Sequence, residues 1–334
     1  MEKTNKSADK HRIKQLIIQL LPIAALIVLF ILYCAIVQAK GFRLKMYLEI
    51  MFNQAIVLAV VATGATFIYT LGSFDISLGA STLLSATIGV LVYNSTESLW
   101  LMILAIMAIA VGCSLLSSVL ASVFNLPVFV TTVAMMSVLS ALATTIIATN
   151  GGGAGSSPAV SIPSSAVSSL DNVGFKIAIL AVYAIICVFV FSFLKIGRRQ
   201  KFLGGNPVCA KLTGISINKY AIIAFVMAGI GVGLGAFLTL LYTPSVTAST
   251  AGGIGMQILV AIVFGGMPIS GGPRSRIYAA IVGGFSYMLL NGILGIFLTG
   301  INGGAGISQM ISAVFFLAVV FVAGFNYRTK NLPR

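Results

Sequence analysis

The sequence predicts an all-α polytopic membrane protein of about ten transmembrane helices, with both termini on the cytoplasmic side. Three observations carry that prediction. Hydrophobic residues make up 59% of the 334 residues and charged residues only 8%, with a mean hydropathy of +1.09. A soluble domain needs roughly 25% charged residues to cover its water-facing surface. Apolar windows recur from residue 15 to residue 326, several of them reaching the about 20 residues that a helix needs to cross about 30 Å of hydrocarbon. Finally, Lys and Arg concentrate in alternate connections, the pattern of a cytoplasmic side.

The spans follow in order. A basic stretch, MEKTNKSADKHRIK (1–14), precedes the first at 15–37. Val37-Gln38-Ala39 loosely fits a small-residue cleavage site, but the apolar run from Ile17 exceeds the about 7–15 residues of a signal sequence, so a retained helix is expected. Spans at 50–71 and 76–93 flank a glycine-framed break, GSFDISLG (72–79). Spans at 99–122 and 128–149 come next, and a Gly/Ser/Pro-rich stretch (150–173) leads to 174–195. The spans at 76–93 and 128–149 are rich in Ser, Thr and Ala, small residues that permit close helix packing. A basic connection (196–218) separates the sixth span from the seventh at 219–242, after which TPSVTASTAGG (243–253) forms a second polar connection. The eighth, 252–267, has a short apolar core, MQILVAIVF, flanked by glycines, and reads as a bent helix or an incomplete crossing. A second glycine frame, GGMPISGG (265–272), precedes the ninth span at 277–297; the tenth is 307–326, and 327–334 form a tail. With no hydrophilic module interrupting the series, 15–326 is a single membrane domain.

Orientation rests on the distribution of charge. With both ends inside, the inner segments hold Lys3, Lys6, Lys10, Arg12 and Lys14, then Lys195, Arg198, Arg199, Lys201, Lys211 and Lys219, then Arg274, Arg276, Arg328, Lys330 and Arg334; the outer side holds Lys40, Arg43, Lys45 and Lys176. The net charge of +14 is therefore read as loop anchoring, and no nucleic-acid partner is expected. The outer stretch 150–173 is either a flexible loop or a contact surface for an extracellular partner.

Both glycine frames fall on the expected cytoplasmic side, offset by 193 positions, and share G-x-x-x-I-S-x-G: Gly72, Ile76, Ser77 and Gly79 correspond to Gly265, Ile269, Ser270 and Gly272. Such internal repetition is frequent in transporters. Gly266 and Gly271 complete the second frame. Asp75 is one of six acidic residues. Ending the preceding helix at Gly72 places it near the interface, where its carboxylate or the Ser77 hydroxyl can cap the next helix. An ion- or proton-coupling carboxylate, a gate or a partner contact are the alternatives. Pro268, in the aspartate's place, cannot cap but can fix a turn before Ser270.

The connection GRRQKFLGGNPVCAKLTGISINKY (197–220) carries the clearest local signals. Asn206 suits an N-cap, Pro207 the first helical position and Gly214 the C-terminal stop, with Val208 and Leu212 four apart on one face. A short amphipathic helix is expected there, lying on lipid headgroups or presented as a knob for another protein.

At this point a family resemblance becomes visible. GSFDISLG resembles the G-x-D-[LI]-S-x-G stretch of ribose-type ABC importer permeases, relatives of the branched-chain amino acid permeases. NLPVFVTTVAMMS (125–137), GGNPVCAKLTGI (204–215) and FGGMPISGGPRSRIYAAIVGG (264–284) resemble further stretches of that family, in the family's order. Pro268, Pro273, Arg274 and Arg276 depart from its pattern. The resemblance implies a type II ABC importer-like permease in a bacterial plasma or inner membrane. A cytoplasmic ATP-binding subunit would dock at Gly204, Gly205, Asn206, Pro207, Ala210, Lys211, Leu212, Gly214 and Ile215. An extracytoplasmic solute-binding protein would deliver cargo, and a second permease subunit, identical or not, would complete the pathway within the lipid bilayer. ATP and Mg²⁺ would be used by the partner ATPase, with no cofactor bound by this chain.

The residues agree with that division of labour. No G-x-x-x-x-G-K-[ST] occurs, so the chain has no P-loop to hold ATP phosphates. The single histidine, His11, sits in the basic tail and the acids are scattered, which leaves little for general acid–base or metal catalysis; no enzyme is expected. Nor do the four cysteines form a disulfide or zinc pattern. An ion-coupled secondary transporter or channel is the rival, although ion coupling usually places ionisable groups inside the membrane and these spans hold almost none. Uncharged spans suit a small neutral solute of the sugar type. Asn53, Gln54, Phe67, Thr131, Thr132, Tyr287 and Asn291 are the candidate pathway residues, with helix packing as the alternative for each.

Overall fold

The computed structural model describes residues 2–152, 158–251, 253–299 and parts of 306–321, with the backbone alone described over 2–19. The helices are α1 (Glu2–Ala39), α2 (Leu44–Thr70), α3 (Leu78–Thr96), α4 (Leu99–Val123), α5 (Val128–Asn150), α6 (Ser164–Val167), α7 (Val173–Ser192), α8 (Lys195–Gly205), α9 (Pro207–Leu212), α10 (Ile217–Tyr242), α11 (Ile254–Phe264) and α12 (Ile277–Leu298), with two short strands, β1 (Ala159–Ser161) and β2 (Ser245–Thr247). Among the described residues eight helices are long and apolar enough to cross a membrane: the apolar part of α1, then α2, α3, α4, α5, α7, α10 and α12. The protein is thus a multi-pass membrane protein.

Two of the ten expected spans stand apart. The eighth is α11, whose 11 residues rise only about 16 Å at 1.5 Å per residue, half of a hydrocarbon core. The tenth, 307–326, lies half outside the described residues, and the tail 327–334 wholly so. The second span starts earlier than its apolar run suggests, at Leu44.

The core is built around α2. It is buried continuously from Ala55 to Thr70 and packs against α10 and α12, while α3 is held between α4, α5 and α10. Five buried threonine hydroxyls of this core are satisfied within their own helices: Thr63, Thr66, Thr70, Thr82 and Thr87 each donate to the carbonyl four residues back at 2.6–2.9 Å. That arrangement lets small polar residues serve close packing without leaving an unpaired group in an apolar interior. The peripheral helices do the reverse. Leu21, Trp100, Val138 and Ile185 point outward and are exposed, as lipid contact requires.

The two polar connections 150–173 and 243–253 meet as a two-stranded antiparallel sheet. Ala159, Val160 and Ser161 pair with Thr247, Val246 and Ser245, and the Asn94 amide donates to the Ser161 carbonyl at 3.1 Å. At the other end of the bundle, the 196–218 connection is a pair of helices and not a loop with one helix. Arg, Gln, Lys and Leu in GRRQKFL are good helix formers, and α8 buries Gly197, Gln200 and Leu203.

Candidate functional site

α9 is capped at both ends by the residues its sequence nominates. The Asn206 carboxamide oxygen accepts from the Cys209 N–H at 3.0 Å, and Pro207 occupies the first helical position. At the far end Gly214 adopts φ +78°, the Ile215 N–H reaches the Ala210 carbonyl and the Gly214 N–H the Lys211 carbonyl, both at 3.1 Å. This is the paired closure that lets a helix stop within one residue. The helix turns Ala210 inward against Leu203 and Tyr220. Val208 and Leu212 face out, 69% and 83% exposed. Two aliphatic side chains are thus left exposed on a turn capped at both ends.

The C-terminus of α8, which leads directly into α9, rests on the end of α2 and on the second glycine frame. A Cβ on Gly204 would overlap the Thr70 carbonyl oxygen, and the Gly272 N–H donates to that same oxygen at 2.9 Å. Gly72, at φ +74°, places its α-carbon so that a side chain would meet the Ser270 carbonyl at 3.1 Å, and Gly205 abuts Pro273. Three chain segments, 70–72, 204–205 and 270–273, therefore meet backbone to backbone. The Pro268–Gly271 turn shapes the second frame, with the Gly271 N–H donating to the Pro268 carbonyl at 3.0 Å; Gly265 and Gly266 precede it, Gly265 pressed on the Ala279 carbonyl and Gly266 at φ +85°. Beside this junction lies a recess of about 460 Å³ lined by Phe202, Gly205, Asn206, Ser270 and Pro273.

The first frame continues to the other end of α11. A Cβ on Gly255 would overlap the Ile76 carbonyl, and one on Gly79 would lie 2.7 Å from the Ala251 carbonyl. The N-terminal end of α11 and the 270–272 turn beyond its C-terminus thus both bear on residues 70–79. Asp75 sits between these contacts and is fully buried. Its bonds fall just ahead of α3 and reach no N–H inside it. Its Oδ1 accepts from the Ser77 N–H at 2.8 Å and the Ser77 Oγ–H at 2.6 Å, one residue before the helix begins. With its hydroxyl committed to Asp75, Ser77 offers α3 no side-chain cap. Burial pushes the Asp75 carboxyl up to about 6, against the lowering effect of the Ser77 bonds. Thr132 ties α5 to the same stretch, donating to the Phe74 carbonyl at 3.4 Å.

Ala251, Gly253 and Ile254 also line a second recess, of about 350 Å³. Gln54 of α2, Thr239 and Tyr242 of α10, Thr250, Gln257 of α11 and Asn291 of α12 are among its lining residues, and no charged residue is. Gln54 and Asn291 were expected in a pathway. Gln257, Tyr242 and Thr239 were not, although Gln257 is the one amide in MQILVAIVF and so was visible. The other candidates lie elsewhere. Phe67 packs edge-on against Phe191 at 5.3 Å, Thr131 and Thr132 are buried at the start of α5, and Tyr287 is buried on α12. Asn53 accepts a hydrogen bond from Lys176 at 2.7 Å.

Lys176 itself is 2% exposed, in the first turn of α7. Its ammonium also pairs with Asp171 and lies 5.8 Å from the centre of the Tyr242 ring. This polar clasp ties α2, α7 and the end of α10 behind the recess, and it holds the one salt bridge found among the described residues.

The family model described as branched-chain amino acid transport system / permease component matches residues 47–324. The ribose import permease protein RbsC of Escherichia coli (strain K12) is 23% identical over 281 residues, 81% of this chain and 83% of the relative. RbsC of Haemophilus influenzae is 24% identical over 312 residues, 92% and 93% of the two chains. The fructose import permease protein FruG of Bifidobacterium longum is 25% identical over 268 residues, 76% and 77%. No solved structure matches the chain.

Proposed function

The chain belongs to the branched-chain amino acid transport system / permease component family, and from that premise we propose that it is the membrane permease subunit of an ATP-binding-cassette importer for a small neutral sugar. The curated relatives import ribose and fructose by their names, and the uncharged recess at Gln54, Thr239, Tyr242, Gln257 and Asn291 has the amide, hydroxyl and aromatic groups that recognise a polyol. In this proposal α8, α9 and both termini face the cytoplasm, and the β1–β2 end receives an extracytoplasmic solute-binding protein. A separate ATPase subunit grips Val208 and Leu212 of α9, and a second permease subunit completes the pathway.

The observation that carries the proposal is the seat of the α8 C-terminus, which leads directly into α9, on the end of α2 and the second glycine frame. Backbone contacts without intervening side chains have little room to yield, so a pull on α9 moves Thr70 and Gly272 together. Because the N-terminal end of α11 and the 270–272 turn beyond its C-terminus both bear on residues 70–79, that movement reaches Ala251 and Gln257 at the sugar recess. ATP binding and hydrolysis, with Mg²⁺, occur in the partner; this chain supplies the linkage and the route.

The test is reconstitution in proteoliposomes with an ATPase subunit and a binding protein loaded with radiolabelled ribose, fructose or arabinose. Uptake of one of these that requires both partners and internal ATP supports the proposal. Uptake driven by an ion gradient through this chain alone assigns it to the secondary transporters instead.

A further inference from the structure

The buried face of α7 runs Lys176, Leu180, Tyr183, Cys187 and Phe191, the three- and four-residue spacing of a packed helix stripe. The last four are residues that an interior accepts readily. The first is a lysine, 2% exposed. Taking an ammonium out of water is costly, and a well-packed apolar residue can join two helices as firmly as a buried ion pair. Holding α7 to α2 does not by itself require Lys176.

Its contacts lead to the recess instead. The ammonium is held from two sides, by Asn53 Oδ1 at 2.7 Å and by the Asp171 carboxylate. From that position it lies 5.8 Å from the centre of the Tyr242 ring, within the range of a cation–π attraction. Tyr242 lines the recess of about 350 Å³, whereas Lys176, Asn53 and Asp171 do not. Tyr242 is also the last residue of α10, so no following turn of its own helix braces the ring. Asp171 balances the ammonium and leaves the surroundings of an uncharged recess without net charge.

We propose that Lys176 is a positioning residue for the sugar site, acting through Tyr242: Asn53 and Asp171 fix the ammonium, and the ammonium fixes the aromatic wall of the recess from behind. A sugar is recognised by polar groups at its hydroxyls and by an aromatic ring against its C–H face. Its fit therefore depends on where the ring stands relative to Gln54, Gln257 and Asn291, which share the recess. An apolar residue at 176 would keep the helices together and lose that control. This role rests on the reading of the recess as the sugar site.

The test separates positioning from folding, using the full chain in two assays: the unfolding temperature in detergent micelles and sugar uptake in the proteoliposomes described above. Lys176→Met should lower the unfolding temperature, since it strands the Asn53 oxygen. Lys176→Met/Asn53→Leu makes both ends of that hydrogen bond apolar and leaves Asp171 to water, so the unfolding temperature should return to near the wild-type value. Its KM for the sugar should nonetheless stay raised about fivefold, with kcat kept. In a Tyr242→Leu background, adding Lys176→Met should raise KM by less than about twofold more, because the group it acts through is gone. Recovery of KM together with the unfolding temperature would overturn the role, and so would a full Lys176→Met effect on KM in the Tyr242→Leu background. If Lys176→Met alone does not fold, the paired variant carries the comparison. A wild type whose uptake needs an ion gradient and neither partner fails the importer proposal, yet the same variants still decide this one on that uptake.

Discussion

At the glycine junction, Gly72, Gly204 and Gly272 bring three chain segments into direct backbone contact. At the opposite end of α7, Lys176, Asp171, Asn53 and Tyr242 join three helices through side chains. The two regions do different work. Backbone contact is stiff and has no tolerance for added atoms, whereas a polar clasp can lose one partner and relax, particularly here, where the Asp171 side chain is 42% exposed. Force is transmitted well by the first kind of contact, and the second is suited to a boundary that must open and close.

Gly204→Leu offers the harshest way to break that contrast. Its side chain would occupy the space of the Thr70 carbonyl, so ATP-driven uptake in proteoliposomes should fall below detection while size-exclusion chromatography still shows an inserted, monodisperse chain. Lys176→Met comes next. It removes a buried ammonium from Asn53 and Asp171 and should destabilise by about 2–3 kcal/mol, read as a lower detergent unfolding temperature, because it leaves their polar atoms unpaired. Gln257→Leu, in the recess, should raise the KM for the transported sugar several-fold, for a loss of about 1 kcal/mol from one hydrogen bond, with kcat unchanged. Asp171→Asn should matter least, within about 1 kcal/mol, since its carboxylate is partly solvated. If Asp171→Asn proved as damaging as Gly204→Leu, the distinction between stiff junction and yielding clasp would fail.

Much of this was legible from local sequence. Asn206, Pro207 and Gly214 each carry a conformational preference that acts within a few residues, so α9 could be placed before any fold was known. The long apolar runs were equally plain. What could not be read was which segments touch. Both glycine frames were visible as a pair, but nothing in G-x-x-x-I-S-x-G says that Gly72 meets Ser270 or that Gly204 sits on Thr70, since those approaches are set by helix packing across the whole bundle. The burial of Asp75 was hidden for a related reason: it depends on the packing of α11 and α5 around it. Asn53 and Gln54 are adjacent and similar, yet the turn of α2 sends one to Lys176 and the other to the recess.

The central claim is that α9 is a cytoplasmic contact for a separate ATPase subunit, and Cys209 tests it without any mutation. It is the exposed cysteine of the four; Cys113 and Cys187 are buried and Cys34 is partly so. Labelling with a membrane-impermeant maleimide should mark Cys209 in inside-out vesicles and not in right-side-out ones, and adding the ATPase subunit should protect it. Labelling from the outer face, or undiminished labelling in the presence of a bound ATPase, would contradict the account.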